Sequence, residues 1–194
     1  MELEQVKDKL NEVQYNFFLE LEKQLDLPLY FIGSISRNDY LKDKSDLDVE
    51  IFTDNIFSTK LKLDHLFNIG NFNTKYIVFE INDTPFSGYK YFFKNKQKDI
   101  KFDLSVYKKE SQQILLDNRN LELNITFING IILYIIKVFY YYLHIISKNM
   151  YIDFKKIFWK IINPEKSIAS ILNETEYNDY YNKIHPNVNH LINI

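Results

Sequence analysis

Asp46-Leu47-Asp48-Val49-Glu50-Ile51-Phe52 alternates carboxylates and aliphatics with a period of two, which predicts a half-buried β-strand. On such a strand Asp46 and Asp48 leave one face, while Leu47, Val49 and Ile51 enter a core on the other. Glu50 shares the acidic face but lies farther along, and is expected to meet solvent. The segment 100–107 repeats the design: Phe102, Leu104 and Val106 face one way, and Asp103 the other with Lys101, Ser105 and Tyr107. If the two strands lie side by side, Asp46, Asp48 and Asp103 converge. Three carboxylates about 5 Å apart repel by roughly 3 kcal/mol per pair at an effective dielectric of 20. A proton or a lysine offsets this, but a hard divalent cation does so best, and Asp oxygens with open positions suit Mg²⁺ shared with substrate phosphates. Two such ions ~4 Å apart form the clamp for in-line phosphoryl displacement.

Upstream, Leu29-Tyr30-Phe31-Ile32 reads as a short buried strand that ends in a tight turn at Gly33-Ser34, followed by a helical turn over 35–41. A residue without a side chain at 33 lets backbone approach a ligand. Before it, Leu3, Val6, Leu10, Val13, Phe17, Leu21 and Leu25 recur at spacings of three and four, which predicts one amphipathic helix over 3–25. Downstream, 55–68 reads as a helix and 75–81 as a strand. Segments 89–94 and 100–107 flank a polar loop, which predicts an antiparallel hairpin. Strand signals end at Tyr107, and from Glu110 onward the pattern is helical, with pieces near 111–117, 121–147, 151–162 and 166–184. The expected fold class is α/β (α+β): a mixed sheet flanked by helices over residues 1–109, followed by an all-α region over 110–194 packed on it.

The chain has 194 residues, 46% of them hydrophobic and 26% charged, enough for a sizeable core and against disorder. Zero Cys excludes a disulfide framework, a thiolate metal site and a cysteine nucleophile. The charged start, without an apolar signal region, makes a cytoplasmic location the expectation. The apolar run 131–146 contains Lys137 and His144 and falls short of the ~20 residues that span a bilayer, so it is expected to be a buried helix rather than a membrane segment. A net charge of −2 gives no general attraction to nucleic-acid phosphates. Only two arginines occur, Arg37 and Arg119.

The run Phe31-Ile32-Gly33-Ser34, then 11 residues, then Asp46-Leu47-Asp48-Val49, then Phe102-Asp103-Leu104 on a later strand, resembles the DNA polymerase beta-like nucleotidyltransferase superfamily. The resemblance spans about residues 29–107 and is closest to its small members, the minimal nucleotidyltransferases of toxin–antitoxin pairs and antibiotic nucleotidyltransferases. Arg37 and Ser45 occupy the places of their nearby Arg and of the Ser before Asp-x-Asp. The chain departs from the common Gly-Ser-x-Ala-Arg-Gly pattern, reading Ser36-Arg37-Asn38. The resemblance implies that Gly33 and Ser34 hold nucleotide phosphates. It implies also that Asp46, Asp48 and Asp103 bind two Mg²⁺ ions, or Mn²⁺ in their place, and that Asp103 helps activate an attacking hydroxyl. The implied reaction passes a nucleoside monophosphate from a nucleoside triphosphate to an acceptor hydroxyl and releases pyrophosphate. Near-neutral charge favours a protein hydroxyl or a small molecule over a long nucleic acid as acceptor. The alternative is a catalytically inactive module of the same fold, an antitoxin-like binding partner.

Several residues keep a plainer reading. Gly33 also suits an ordinary tight turn. Arg37 either touches phosphate or sits on a helix surface. Lys137 either reaches a triphosphate or snorkels at the margin of its helix. The cluster Lys90, Lys94, Lys96, Lys98 and Lys101 either touches phosphates or forms a solvated hairpin tip. His65, His185 and His190 have no metal-ligand spacing.

Overall fold

The computed structural model describes residues 1–42, 44–67, 74–95, 100–123, 126–162 and 170–184. A six-stranded mixed sheet organises them. Its strands are β1 (Tyr30–Ile32), β2 (Leu47–Thr53), β3 (Thr74–Ile81), β4 (Thr84–Asn95), β5 (Ile100–Lys108) and β6 (Ser170–Leu172), in the spatial order β1-β2-β5-β4-β3-β6. β2 and β5 are parallel; every other pair is antiparallel. The hairpin expected around 95–99 is present as β4 and β5, with Asn95 opposite Ile100; its tip, with Lys96 and Lys98, lies outside the described residues. β3 and β4 form a second hairpin that periodicity does not reveal. Asn82 and Asp83 both take positive φ, 49° and 58°, as a two-residue turn matched to the twist of the strands requires.

Helices cover both faces. On one, Leu47, Val49, Ile51, Phe102, Leu104 and Val106 pack against α1 (Leu3–Val6), α2 (Glu12–Leu25) and α3 (Ile56–Phe67), with Phe18 edge-on to Phe31 and Phe102. On the other, Phe52, Phe79, Phe86 and Tyr107 form a second cluster closed by Leu115 of α4 (Gln112–Leu123). Beyond α4 follow α5 (Phe127–Tyr141), α6 (Lys148–Ile162) and α7 (Glu174–Ile184).

Three expectations need correction. The single helix over 3–25 is broken: Leu10 is extended, and Asn11 starts α2 by accepting from the Gln14 N–H while its own N–H donates to Gln14 Oε1. The break resets the helical phase, so Val13 is exposed and Gln14 buried. The C-terminal region is not all-α, because β6 pairs with β3 and Tyr177 of α7 stacks on Tyr76 at 4.1 Å. The helical turn after Ile32 is shorter than expected, a 3₁₀ turn over Gly33–Ser36 that ends at Arg37.

Glu50 is a further correction. It is 1% exposed rather than solvated, because α4 covers it and Arg119 donates to its Oε1 from Nη2 at 2.8 Å. Removing one member of a buried ion pair strands the other charge. Arg119→Ala is therefore expected to lower stability by about 3 kcal/mol in urea unfolding. The double variant Glu50→Leu/Arg119→Leu should lose markedly less than Arg119→Ala alone, because no unpaired charge is left behind.

Candidate functional site

The acidic cluster follows from strand register. Asp48 of β2 lies directly beside Asp103 of β5, and Asp46 immediately precedes β2 on the same face. The expected convergence is present: Asp46, Asp48 and Asp103 line one cavity of about 250 Å³, together with Gly33, Ser34 and Arg37. Its opposite wall is built from the helical half, by Lys137 and Tyr141 of α5 and by Tyr151, Lys155 and Trp159 of α6.

Gly33 is fixed by Asp48. β1 ends at Ile32, the antiparallel partner of Asp48, and Gly33 follows with φ of +71°. A Cβ at this position would stand 2.7 Å from Asp48 Oδ2. The backbone angle favours glycine here, and a Cβ would require the Asp48 carboxylate to move aside.

The like charges are balanced by two lysines. Lys90 Nζ stands 3.3 Å from Asp103 Oδ2 and 4.0 Å from Asp48 Oδ1, and its side chain is only 12% exposed. Lys101 pairs with Asp46. Lys90 therefore does not belong to a solvated hairpin tip, whereas Lys101, 58% exposed, keeps a solvated place at the hairpin while pairing with Asp46. The signal was the register itself: from Asn95 opposite Ile100, counting back places Lys90 opposite Ser105 and on the face of Asp103. Asp48 nevertheless has its carboxyl pushed above the usual carboxylate range, first by desolvation, with Asp103 and Asp46 adding and Lys90 and Lys155 opposing.

Among the described residues no group of three or more His, Asp or Glu side chains stands in metal-holding geometry. In this conformation ammonium groups occupy the positions of counter-charge. The donor set itself, three carboxylates lining one cavity, offers the hard oxygen ligands that suit Mg²⁺.

A second cluster holds the loop that carries Asp46. Asp39 is fully buried and accepts from Arg37 Nε at 2.8 Å, while Lys137 Nζ lies 3.0 Å from its other carboxylate oxygen. Lys137 also donates to the Asp39 carbonyl at 2.7 Å and to Ser45 Oγ at 3.2 Å. Ser45 Oγ in turn accepts the Leu41 N–H. Arg37 thus lines the cavity but spends its charge on Asp39, and its guanidinium lies 5.1 Å from the Trp159 ring centroid. It is not a helix-surface residue, being 9% exposed and held on the cavity wall by Asp39. Lys137, 3% exposed, is no snorkelling residue. Asp39, Tyr151, Lys155 and Trp159 lacked any sequence signal, because only tertiary packing brings them to the motif.

Comparison with known proteins adds nothing further: no protein-family model, curated protein or solved structure matches this chain.

Two outcomes are expected. Gly33→Ala combines a left-handed backbone angle, worth roughly 1–2 kcal/mol for a residue with a Cβ, with displacement of the Asp48 carboxylate. Urea unfolding should record at least that loss. Burial lowers the Lys137 ammonium to about 8, with Asp39 only partly opposing. Between that value and the unfolded one near 10.5 the unfolded chain holds a proton that the native protein has released, so native stability rises with pH across this window. Chemical denaturation at about pH 8 and about pH 9.5 should show this rise in the wild type and not in Lys137→Met.

Proposed function

We propose that the chain is a metal-dependent nucleotidyltransferase. The observation that carries this reading is the pairing of Asp48 with Asp103 on adjacent parallel strands, with Asp46 on the same face and Gly33 pressed against Asp48. Two like charges side by side with a glycine cleared above them are costly for stability alone, and they suit a polyphosphate with its counter-ions. Asp46, Asp48 and Asp103 would hold Mg²⁺, which when bound neutralises phosphate oxygens and lowers the proton affinity of an attacking hydroxyl.

In the reaction an acceptor hydroxyl oxygen bonds to the α-phosphorus of a nucleoside triphosphate. The bond from that phosphorus to the β-phosphate oxygen breaks, pyrophosphate leaves, and the hydroxyl proton passes to a carboxylate or to water. On this reading Asp103 is the carboxylate that receives that proton. Gly33 and Ser34 leave room for the phosphates beside the carboxylates, and Lys155 supplies positive charge from the facing helix. Catalysis is then mostly positioning and charge neutralisation. The cavity is small and walled by Tyr141, Tyr151 and Trp159, which favours a single hydroxyl of a protein or small molecule over a long nucleic acid as acceptor.

A second reading is favoured by Lys90 and Lys101, which already balance the carboxylates without any ion. On this reading the chain is a binding module of the same fold that does not turn over substrate.

The two readings separate in one experiment. With α-labelled triphosphates, Mg²⁺ and candidate acceptors, the enzyme reading expects label transfer that falls at least ~100-fold in Asp48→Ala and in Asp103→Ala. A rise in melting temperature with Mg²⁺ and nucleotide, but no transfer to any acceptor or to the chain itself, would favour the module. Transfer undiminished in Asp48→Ala would discard the mechanism.

A further inference from the structure

Among the residues of α5 only Lys137 carries a charge, and that side chain is buried against Asp39. A helix apolar on all sides normally lies inside a protein. This one does not. Ile128, Ile132, Ile135, Phe139 and, at the C-cap, Tyr142 follow one another at spacings of four, three, four and three, and all five are exposed. Leu133 and Lys137, on the opposite side of the helix, are buried. The expectation of a buried helix over 131–146 therefore holds for one side only, and only as far as Tyr141, where α5 ends.

Alternating spacings of four and three make the seam of a helix that packs lengthwise on another helix. Phe127, Ile131 and Tyr134 widen it on one flank, and Leu143 and Ile145 extend it past the helix end; all five are exposed. Taken at about 150–200 Å² for a fully exposed large side chain, these groups present on the order of 1,000 Å² of apolar surface. A monomer seldom leaves more than about 600 Å² bare in one patch, and a stable interface needs about 800 Å² from each partner.

We propose that α5 is the interface of a homodimer, in which the seam of one copy packs on the same seam of a second copy about a two-fold axis near Ile135. Such an interface requires a self-complementary patch. A seam of Ile, Phe and Tyr without a charge meets that condition, because nothing in it repels its own image. A lipid surface fits less well. No helix among the described residues is long and apolar enough to cross a membrane. A helix lying on one flanks its apolar face with Lys and Arg, whereas the lysine of α5 is buried. The proposal does not depend on the nucleotidyl-transfer reading.

The test uses the full chain. Sedimentation between about 1 µM and about 100 µM is expected to show a dimer, and Ile132→Glu/Ile135→Glu, which puts charges into the seam, should weaken it about 100-fold or more with the circular dichroism unchanged. The chain has no Cys, so a single introduced thiol reports its own position. Ile135→Cys should form a disulfide-linked dimer under mild oxidation, and Lys23→Cys, on the exposed side of α2, should not. If the double glutamate variant fails to fold, the cross-linking pair decides alone. A chain that is monomeric throughout this range and does not cross-link at 135 overturns the proposal. So does a dimer that survives the double substitution or cross-links equally at 23, and so does a monomer that floats with phosphatidylcholine–phosphatidylglycerol vesicles.

Discussion

Pairing Asp48 with Asp103 across two adjacent parallel strands is the constraint around which the protein is arranged. Neighbouring carboxylates in this position oppose folding, so something must hold the register against them. The apolar residues between them do so. Leu47, Val49, Phe102 and Leu104 alternate with the acids and are buried in the opposite layer. A slip of one residue would turn that entire apolar set out of the core. Lys90, reaching in from the third strand, then lowers the cost of the arrangement, and the missing side chain at Gly33 leaves the carboxylate its room.

This explains which parts of the molecule were legible beforehand. β2 and β5 announce themselves because apolar residues alternate with polar ones along them, although the second face is itself largely covered, with Glu50, Phe52, Ser105 and Tyr107 all buried. The acidic trio follows from the same alternation and the glycine turn from the residues that end β1, whereas the convergence of the trio also needed the parallel pairing of β2 with β5. What stayed hidden depends on partners distant in the chain. Glu50 looks solvent-facing from its own strand, and only α4 with Arg119 makes its burial tolerable. β6 is three residues long, too short for any periodicity, and exists because the edge of β3 offers unpaired backbone groups. The break at Leu10-Asn11 was masked by apolar spacing that runs through it, although the Asn11–Gln14 capping pair is itself visible once sought. The burial of α5 was half right because composition reports how apolar a helix is and not how many of its sides are covered.

Both arginines of the chain end on buried carboxylates, Arg37 on Asp39 and Arg119 on Glu50. The two pairs join the sheet to what surrounds it. Arg119 fastens α4 over the back of β2, beside the Tyr30 hydroxyl that accepts from Gln112. Arg37 and Lys137 gather on Asp39, so that α5 grips the loop leading into Asp46 through both its carboxylate and its main chain. The helical half is therefore part of the site, supplying the wall that faces the acids as well as the anchor of the loop that presents them.

β6 has a consequence for how the chain is made. It completes the far side of the sheet, and it is drawn from residues 170–172, long after β3 at 74–81 has been synthesised. While the ribosome works through residues 82–169, Ile77 and its neighbours present an open ladder to any other nascent strand. A bare ladder of that kind invites mispairing. Termination after β5 is complete but before residue 170 would release a product whose β3 edge stays adhesive, so premature stop codons between 109 and 169 should yield aggregates rather than merely shortened, inactive protein.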